Sequence, residues 1–159
     1  MDSELFRSAI ARHAAGVVVV SAGFANRWRG LTATTFTAIS IEPPLVLVSL
    51  DRFAATRDVV LEAGVFNVSL LSSRQEFIAE RFAGRAPQVD PSWREIPHRL
   101  GDNGLPLVEG AIAWFECRLD AAHPAGDHDI VVGAVTAAGA GTGDPLVLWD
   151  RTFWELRAH

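Results

Sequence analysis

Short apolar runs rich in β-branched residues recur along this chain, and they constrain its fold more than any other feature. Gly, Pro or Asn bounds most of the runs, as is typical of strands that end in turns. Many short strands with few helices predict a mainly β fold built around a small antiparallel barrel. The predicted strands are 17–21, 28–31, 36–41, 45–50, 65–71, 130–138, 145–149 and 153–156.

Three helices are predicted beside these strands. Asp2 or Ser3 is the expected N-cap of the first helix, and Ser72 or Ser73 is the expected N-cap of the third. The helices are predicted over 3–15, over 56–63 and from Ser72 or Ser73 to Phe82.

A proline- and glycine-rich segment, 84–106, predicts a long surface loop between the third helix and the later strands. Beyond it, an alternating pattern predicts a strand with two different faces. One face would carry Ala113, Phe115, Cys117 and Leu119, and the other Trp114, Glu116, Arg118 and Asp120.

The glycine-rich segment 139–144 lies between the predicted strands 130–138 and 145–149. It looks like a dinucleotide-binding loop, but no helix follows it and the third glycine of that motif is missing. We therefore predict a hairpin in which this segment joins the two strands.

Composition excludes several classes of protein. The formal net charge of −5 argues against a nucleic-acid partner. No apolar run approaches the roughly 20 residues that span a bilayer, and the acidic start 1–4 does not resemble a signal peptide. The single cysteine, Cys117, suits a reducing cytoplasm. The length of 159 residues fits one domain, 1–159.

Small hydroxylated residues crowd the segment Gly30–Ser40, where a strand that only packs would use larger side chains. Glycine permits a flat ligand to approach the main chain closely, and Thr and Ser supply hydrogen-bond donors. The alternative is a threonine-rich strand without a ligand, because Thr is a good strand residue.

This segment, followed by Glu42-Pro43-Pro44 and the run 45–50, and the later Gly126-Asp127-His128, together resemble the flavin reductase family of FMN-binding split barrels. Members are the reductase components of two-component flavin-dependent monooxygenases, and the resemblance covers nearly the whole chain. It implies an antiparallel split β-barrel of Greek-key type with a few flanking helices, working as a homodimer. It also implies FMN or FAD as cofactor, and NADH, with NADPH as the alternative, as reductant.

The resemblance implies that three groups of residues bind the flavin. Backbone N–H groups of Thr32, Ala33 and Thr34 would face the isoalloxazine, with Thr34 and Thr35 hydroxyls near the ribityl chain or phosphate. The strand-to-helix loop would hold the flavin tail, and the end of the third helix would help to neutralise the phosphate. The residues of these last two groups are Ser49, Leu50, Arg52, Thr56, Arg81 and Phe82.

Gly126, Asp127 and His128 form the second implied element, with His128 near the nicotinamide. Hydride transfer needs no proton transfer at carbon, so His128 would orient the carboxamide or steady charge near the flavin. The alternative is an ordinary turn between two strands. Phe153 stands where relatives often carry an aromatic residue near the cofactor.

The predicted function is therefore an NAD(P)H:flavin oxidoreductase that supplies reduced flavin to a separate oxygenase. Two alternatives use the same barrel: an oxidase like pyridoxamine-phosphate oxidase, and a flavin-binding protein without catalysis. No metal site is predicted.

Overall fold

The structure of the protein is a computed structural model that describes residues 1–84 and 92–158. Within those ranges it contains three helices and twelve strands. The helices are α1 (Ser3–Ile10), α2 (Ala55–Ala63) and α3 (Glu76–Phe82). The strands are β1 (Ala15–Gly16), β2 (Val18–Phe24), β3 (Arg27–Ala33), β4 (Phe36–Ser40), β5 (Leu45–Asp51), β6 (Val65–Leu70), β7 (His98–Leu100), β8 (Pro106–Val108), β9 (Ala113–Ala125), β10 (His128–Ala140), β11 (Leu146–Trp149) and β12 (Thr152–Glu155).

Seven strands form one antiparallel sheet in the order β3-β2-β6-β9-β10-β5-β4. Its two edge strands, β3 and β4, follow one another in the chain with only Thr34 and Thr35 between them. So short a link spans at most about 11 Å from Ala33 to Phe36, which forces the sheet to curl until its edges meet. The result is a barrel that is closed on most of its circumference and split between β3 and β4.

Strand β2 is buried on both faces, and its side chains pack alternately into two separate cores. Val18, Val20 and Ala22 point into the barrel, where they pack with residues such as Phe66 and Val131. Val17, which precedes β2, and Val19 point outward into a second core that α3 and β11 complete. Helix α3 is thus fixed to the barrel by apolar packing, and Val60 of α2 packs in the barrel core.

The predicted hairpin across 139–144 is wrong. Strand β10 pairs with β9 and β5, whereas β11 pairs with β1 and β12 in a separate three-stranded sheet. The true hairpin joins β9 to β10 through Gly126, whose positive φ of 68° suits a tight turn. Since β9 and β5 occupy both sides of β10, β11 cannot pair with it. Segment 139–144 instead connects the seven-stranded sheet to the three-stranded sheet.

Two predicted helix boundaries also need correction. Helix α1 begins after the Asp2 cap, as expected, but ends at Ile10 instead of Ala15. Helix α3 begins at Glu76, and neither Ser72 nor Ser73 is its N-cap. Ser72 instead forms an isolated bridge with Pro145, which draws it into the strand layer.

The predicted loop 84–106 contains a strand in its described part. Strand β7 pairs with β8, and residues 85–91 lie outside the described residues. Phe115, Cys117 and Leu119 of β9 pack together in the barrel core, and Glu116 on the opposite face is only 3% exposed. The 101–105 segment folds over it, and the Asn103 backbone N–H donates to its Oε2 at 3.2 Å. Across the described residues, the helices are all too short or too polar to cross a bilayer.

Candidate functional site

A cavity of about 840 Å³ lies where the barrel is split. This volume is within the range of small-molecule and cofactor sites. Predicted site residues from four separate parts of the chain meet in its lining: Thr32, Ala33, Thr34, Thr35, Ser49, His128 and Phe153. The fold therefore brings together the threonine-rich segment, the end of β5, the β9–β10 turn and β12.

The open edge of β3 provides backbone donors to this cavity. In an antiparallel strand, the N–H and C=O of one residue point to the same side, and those of alternate residues agree. The Gly30 carbonyl points away from β2, because it accepts a hydrogen bond from the Thr56 hydroxyl at 3.3 Å. Thr32, two residues on, therefore directs its N–H toward the same unpaired edge.

The Thr32 hydroxyl is already occupied, since it donates to the Ala79 carbonyl of α3 at 2.6 Å. Thr32 thus joins β3 to α3 through its side chain and leaves its backbone for a ligand. Thr34 and Thr35 lie in the link between the sheet edges and line the cavity, where their hydroxyl groups can reach a ligand.

Gly30 has a role different from the one expected. A Cβ on Gly30 would lie 2.5 Å from Cδ1 of Phe82, so the Phe82 ring fills the space that the missing side chain leaves. The small residue at this position makes room for core packing and not for the close approach of a ligand.

His128 begins β10 beside the cavity and lies opposite Asp51 of β5 in register. Its Nδ1 is 2.8 Å from Asp127 Oδ1. The hydrogen bond to His128, with the attraction between the two groups, lowers the pKa of Asp127. Because Nδ1 is engaged with Asp127, Nε2 is the nitrogen available to a ligand. In the part of the chain that the structure describes, no cluster of ligating side chains could hold a metal ion.

The strand-to-helix loop 51–54 lies against the β9–β10 turn. The Arg52 N–H donates to the Asp127 carbonyl at 3.0 Å, and the Phe53 N–H donates to Asp51 Oδ1 at 2.8 Å. Of the residues predicted here, Leu50 is fully buried in the barrel core, and Thr56 is buried beneath β3. Neither lines the cavity, and neither does the half-exposed Arg52.

Sequence reasoning missed an ion pair beneath this loop. The Arg57 guanidinium of α2 binds the Asp129 carboxylate of β10, with Nε donating to Oδ2 at 2.6 Å. Hydrogen bonds to Asp58 and to Asp129 raise the pKa of Arg57. Asp129 is almost completely buried, and its Oδ1 has no hydrogen-bond partner among the described residues, although Arg52 Nε lies 3.7 Å away.

The structure places Arg81 and Phe82 outside the lining. The Arg81 guanidinium donates to the Arg94 carbonyl at 3.2 Å, and Phe82 packs in the outer core against Trp93. Gly126 and Asp127 form the turn beside the cavity without lining it.

Nine residues of the lining had not been predicted as site residues. Three of them carry carboxylates, and one is an arginine. They are Val17, Leu31, Asp51, Glu76, Glu80, Ala83, Leu148, Arg151 and Thr152. The β11–β12 hairpin supplies the last three, through long-range pairing that sequence patterns do not reveal.

The curled seven-stranded sheet and the threonine-edged cavity at its split define a flavin-binding split-barrel protein. The chain belongs to the flavin reductase like domain family, whose model matches residues 10–157.

Relatives agree in sequence and in structure. The chain is 41% identical over 158 residues to the reductase component of 4-hydroxyphenylacetate 3-monooxygenase of Thermus thermophilus, covering 96% of each chain. It is 37% identical over 145 residues to the FMN reductase (NADH) SmoA of Agrobacterium fabrum, covering 91% of this chain and 81% of the relative. The NADH:FAD oxidoreductase SgcE6 of Streptomyces globisporus, solved with NAD and FAD fragments, superimposes with a TM-score of 0.91 at 30% identity, covering 98% of this chain and 93% of that one.

Proposed function

We propose that this protein is an NAD(P)H-dependent flavin reductase that provides reduced FMN or FAD to a separate monooxygenase. The observation that carries the proposal is the cavity at the barrel split, where the backbone edge of β3 and the His128 side chain meet. Bound flavin supplies the acceptor, at N5, for a hydride from the nicotinamide.

The β3 edge and the Thr34–Thr35 link suit the polar rim of an isoalloxazine ring. A backbone N–H at Thr32 and hydroxyl groups at Thr34 and Thr35 donate hydrogen bonds to carbonyl and nitrogen atoms of such a ring. Ser49 and Phe153 add a hydroxyl group and an aromatic face to the lining.

His128 is the proposed catalytic residue, with a role in orienting the nicotinamide. Its hydrogen bond to Asp127 fixes the ring, and Nε2 remains available to hold a carboxamide. Arg52 and Arg81 remain proposed contacts of the flavin phosphate. Each guanidinium is on the surface, where it is accessible to a ligand.

A homodimer of one-domain subunits is part of the proposal. Leu5, Phe6 and Ile10 of α1 are each more than half exposed, and so is Ile41 beyond β4. Exposed apolar groups of this size support an interface between copies of the chain. A cytoplasmic location is also proposed, because NADH is found there and Cys117 is a free thiol.

Absorbance at 340 nm tests the function directly. Purified protein is mixed with NADH or NADPH, each with FMN, FAD or riboflavin, and loss of absorbance is followed. Rapid loss of absorbance that depends on flavin is the expected result. The rates identify the preferred nicotinamide and the preferred flavin. Flavin binding without loss would overturn the reductase in favour of a non-catalytic binder. Oxidation of pyridoxine phosphate would instead favour the oxidase alternative.

A further inference from the structure

A second cavity of about 980 Å³ adjoins the first. It lies between α1 and the β11–β12 hairpin, and the two cavities share Thr34, Thr35, Leu148 and Arg151 in their linings. A ligand that extends from one cavity to the other must therefore pass these four residues. Of the four, Arg151 carries the only formal charge.

The charges of the first cavity make a cation necessary for any phosphate that enters it. Asp51, Glu76 and Glu80 contribute three carboxylates to the described lining. Among the described residues of that lining, Arg151 supplies the one guanidinium, and His128 is the other basic group. A phosphate close to three carboxylates is bound only where a cation offsets their repulsion.

Arg151 has a left-handed backbone conformation that glycine adopts more easily than arginine. Asp150 and Arg151 are the central residues of the β11–β12 turn, with positive φ values of 50° and 65°. Glycine is strongly preferred at the second position of such a turn, because a Cβ is unfavourable there. Unfavourable backbone conformations of this kind are concentrated at functional sites, and Arg151 lines both cavities.

Neighbouring contacts hold this turn in place and leave the Arg151 side chain unengaged. The Asp150 N–H donates to the Ala11 carbonyl at 2.8 Å, and Arg12 Nη1 donates to the Asp150 carboxylate at 3.2 Å. Trp149 Nε1 donates to the Arg12 carbonyl at 3.2 Å. Within the described residues, the Arg151 guanidinium has no hydrogen bond or ion pair of its own.

We propose that Arg151 binds a phosphate group at the junction of the two cavities. The inference deepens the proposed reductase function and rests on it. Two substrates of that reaction carry the required chemistry: the flavin nucleotide through its phosphate, and the nicotinamide dinucleotide through its pyrophosphate. A guanidinium on a fixed turn binds either of them with paired N–H donors.

The test compares phosphate-bearing ligands with phosphate-free ones in wild type, Arg151→Gly and Arg151→Asn. Dissociation constants of FMN and riboflavin are measured by fluorescence quenching. The KM for NADH is compared with that for 1-benzyl-1,4-dihydronicotinamide, a hydride donor without phosphate. Both variants suit a positive φ, so neither is expected to lower the melting temperature.

In both variants, the dissociation constant of FMN or the KM for NADH is expected to rise at least about tenfold. The same constant for the phosphate-free counterpart should change less than about twofold. A loss for FMN identifies the flavin phosphate, and a loss for NADH identifies the dinucleotide. Arg151→Lys should recover part of the affinity, because it restores the charge.

Equal effects on ligands with and without phosphate, or no effect on either pair, would overturn the assignment. Failure of the reductase function itself is recognised separately, because wild type would then not oxidise NADH. The comparison of FMN with riboflavin needs no turnover and still decides whether Arg151 binds a phosphate.

Discussion

Arg57 and Asp129 form an ion pair that ties α2 to the start of strand β10. Asp129 is almost completely buried, and the Arg57 side chain is itself only 21% exposed. Asp129 directly follows His128, so the pair fixes the position of the strand end that carries the proposed catalytic residue. It also anchors the helix that begins directly after the 51–54 loop.

Removal of the cation should destabilise the fold strongly. We expect Arg57→Met to lower the free energy of unfolding several times more than the control below, because it leaves the buried Asp129 carboxylate with only Arg52 Nε, 3.7 Å away. Urea denaturation monitored by tryptophan fluorescence measures this. Asp58→Asn is the matched control and should change stability by less than about 0.5 kcal/mol, since Asp58 is exposed.

The double variant Arg57→Met with Asp129→Leu separates loss of the pair from isolation of the charge. It should be more stable than Arg57→Met alone, because no buried charge remains. If Arg57→Met proved as stable as Asp58→Asn, the pair would have no role in holding α2 to β10.

Gly30→Ala should destabilise the protein by about 1–3 kcal/mol, because the new Cβ would overlap the Phe82 ring. Thermal denaturation measures the loss. Gly16→Ala is the control, since no atom lies within 4 Å of the Cβ it would add. Adding Phe82→Leu to Gly30→Ala should restore part of the stability. Equal melting temperatures for the two alanine variants would show that Phe82 does not require a glycine there.

His128→Ala should raise the KM for NADH by about tenfold and leave the flavin dissociation constant within about twofold, because His128 is proposed to contact only the nicotinamide. Steady-state kinetics and flavin titration provide the two values. His123→Ala is the control, because His123 is exposed on β9 outside the cavity lining and should alter neither. Flavin affinity falling as much as NADH affinity would contradict the assigned role.

The Cys117 thiol should resist modification in the folded protein. Burial, with a contribution from the Glu116 charge, raises its pKa from 9.0 to about 12. The unfolded chain loses this proton near pH 9 while the folded chain keeps it. Its contribution to stability is therefore complete below pH 9 and is lost as pH rises toward about 12.

Labelling with iodoacetamide at pH 9 measures this protection. The folded protein should react at least about 100-fold more slowly than the protein in urea, since the thiolate is the reactive form. The pH dependence of unfolding between pH 9 and 10 should also be weaker in Cys117→Ser. Equally fast labelling with and without urea would show that the thiol is accessible.

Sequence patterns predicted the strands of the barrel well, because β-branched runs and turn residues are local signals. They failed where pairing is not local. The strands on either side of 139–144 look like a hairpin in sequence, but β10 finds its partners in β9 and β5. Alternation places Glu116 on the face opposite Cys117, but the pattern does not reveal that 101–105 covers that residue.

The residues of the candidate site show the same difference between local signals and long-range packing. Thr32 to Thr35 could be predicted because they are contiguous and belong to a recognisable motif. Glu80 and Arg151 could not, because α3 and the β11–β12 hairpin reach the cavity only through packing between distant segments. Gly30 was predicted to let a ligand approach the main chain, whereas in the structure its missing side chain makes room for the Phe82 ring.

The two-residue link Thr34–Thr35 joins both edges of the seven-stranded sheet and lines the cavity at the same time. A molecule bound there contacts the seam between the two edge strands, β3 and β4. By mass action, a ligand at 100 times its dissociation constant stabilises its host by about 2.7 kcal/mol. The survival of this enzyme in heat or against proteases should therefore follow the free flavin pool of its cell.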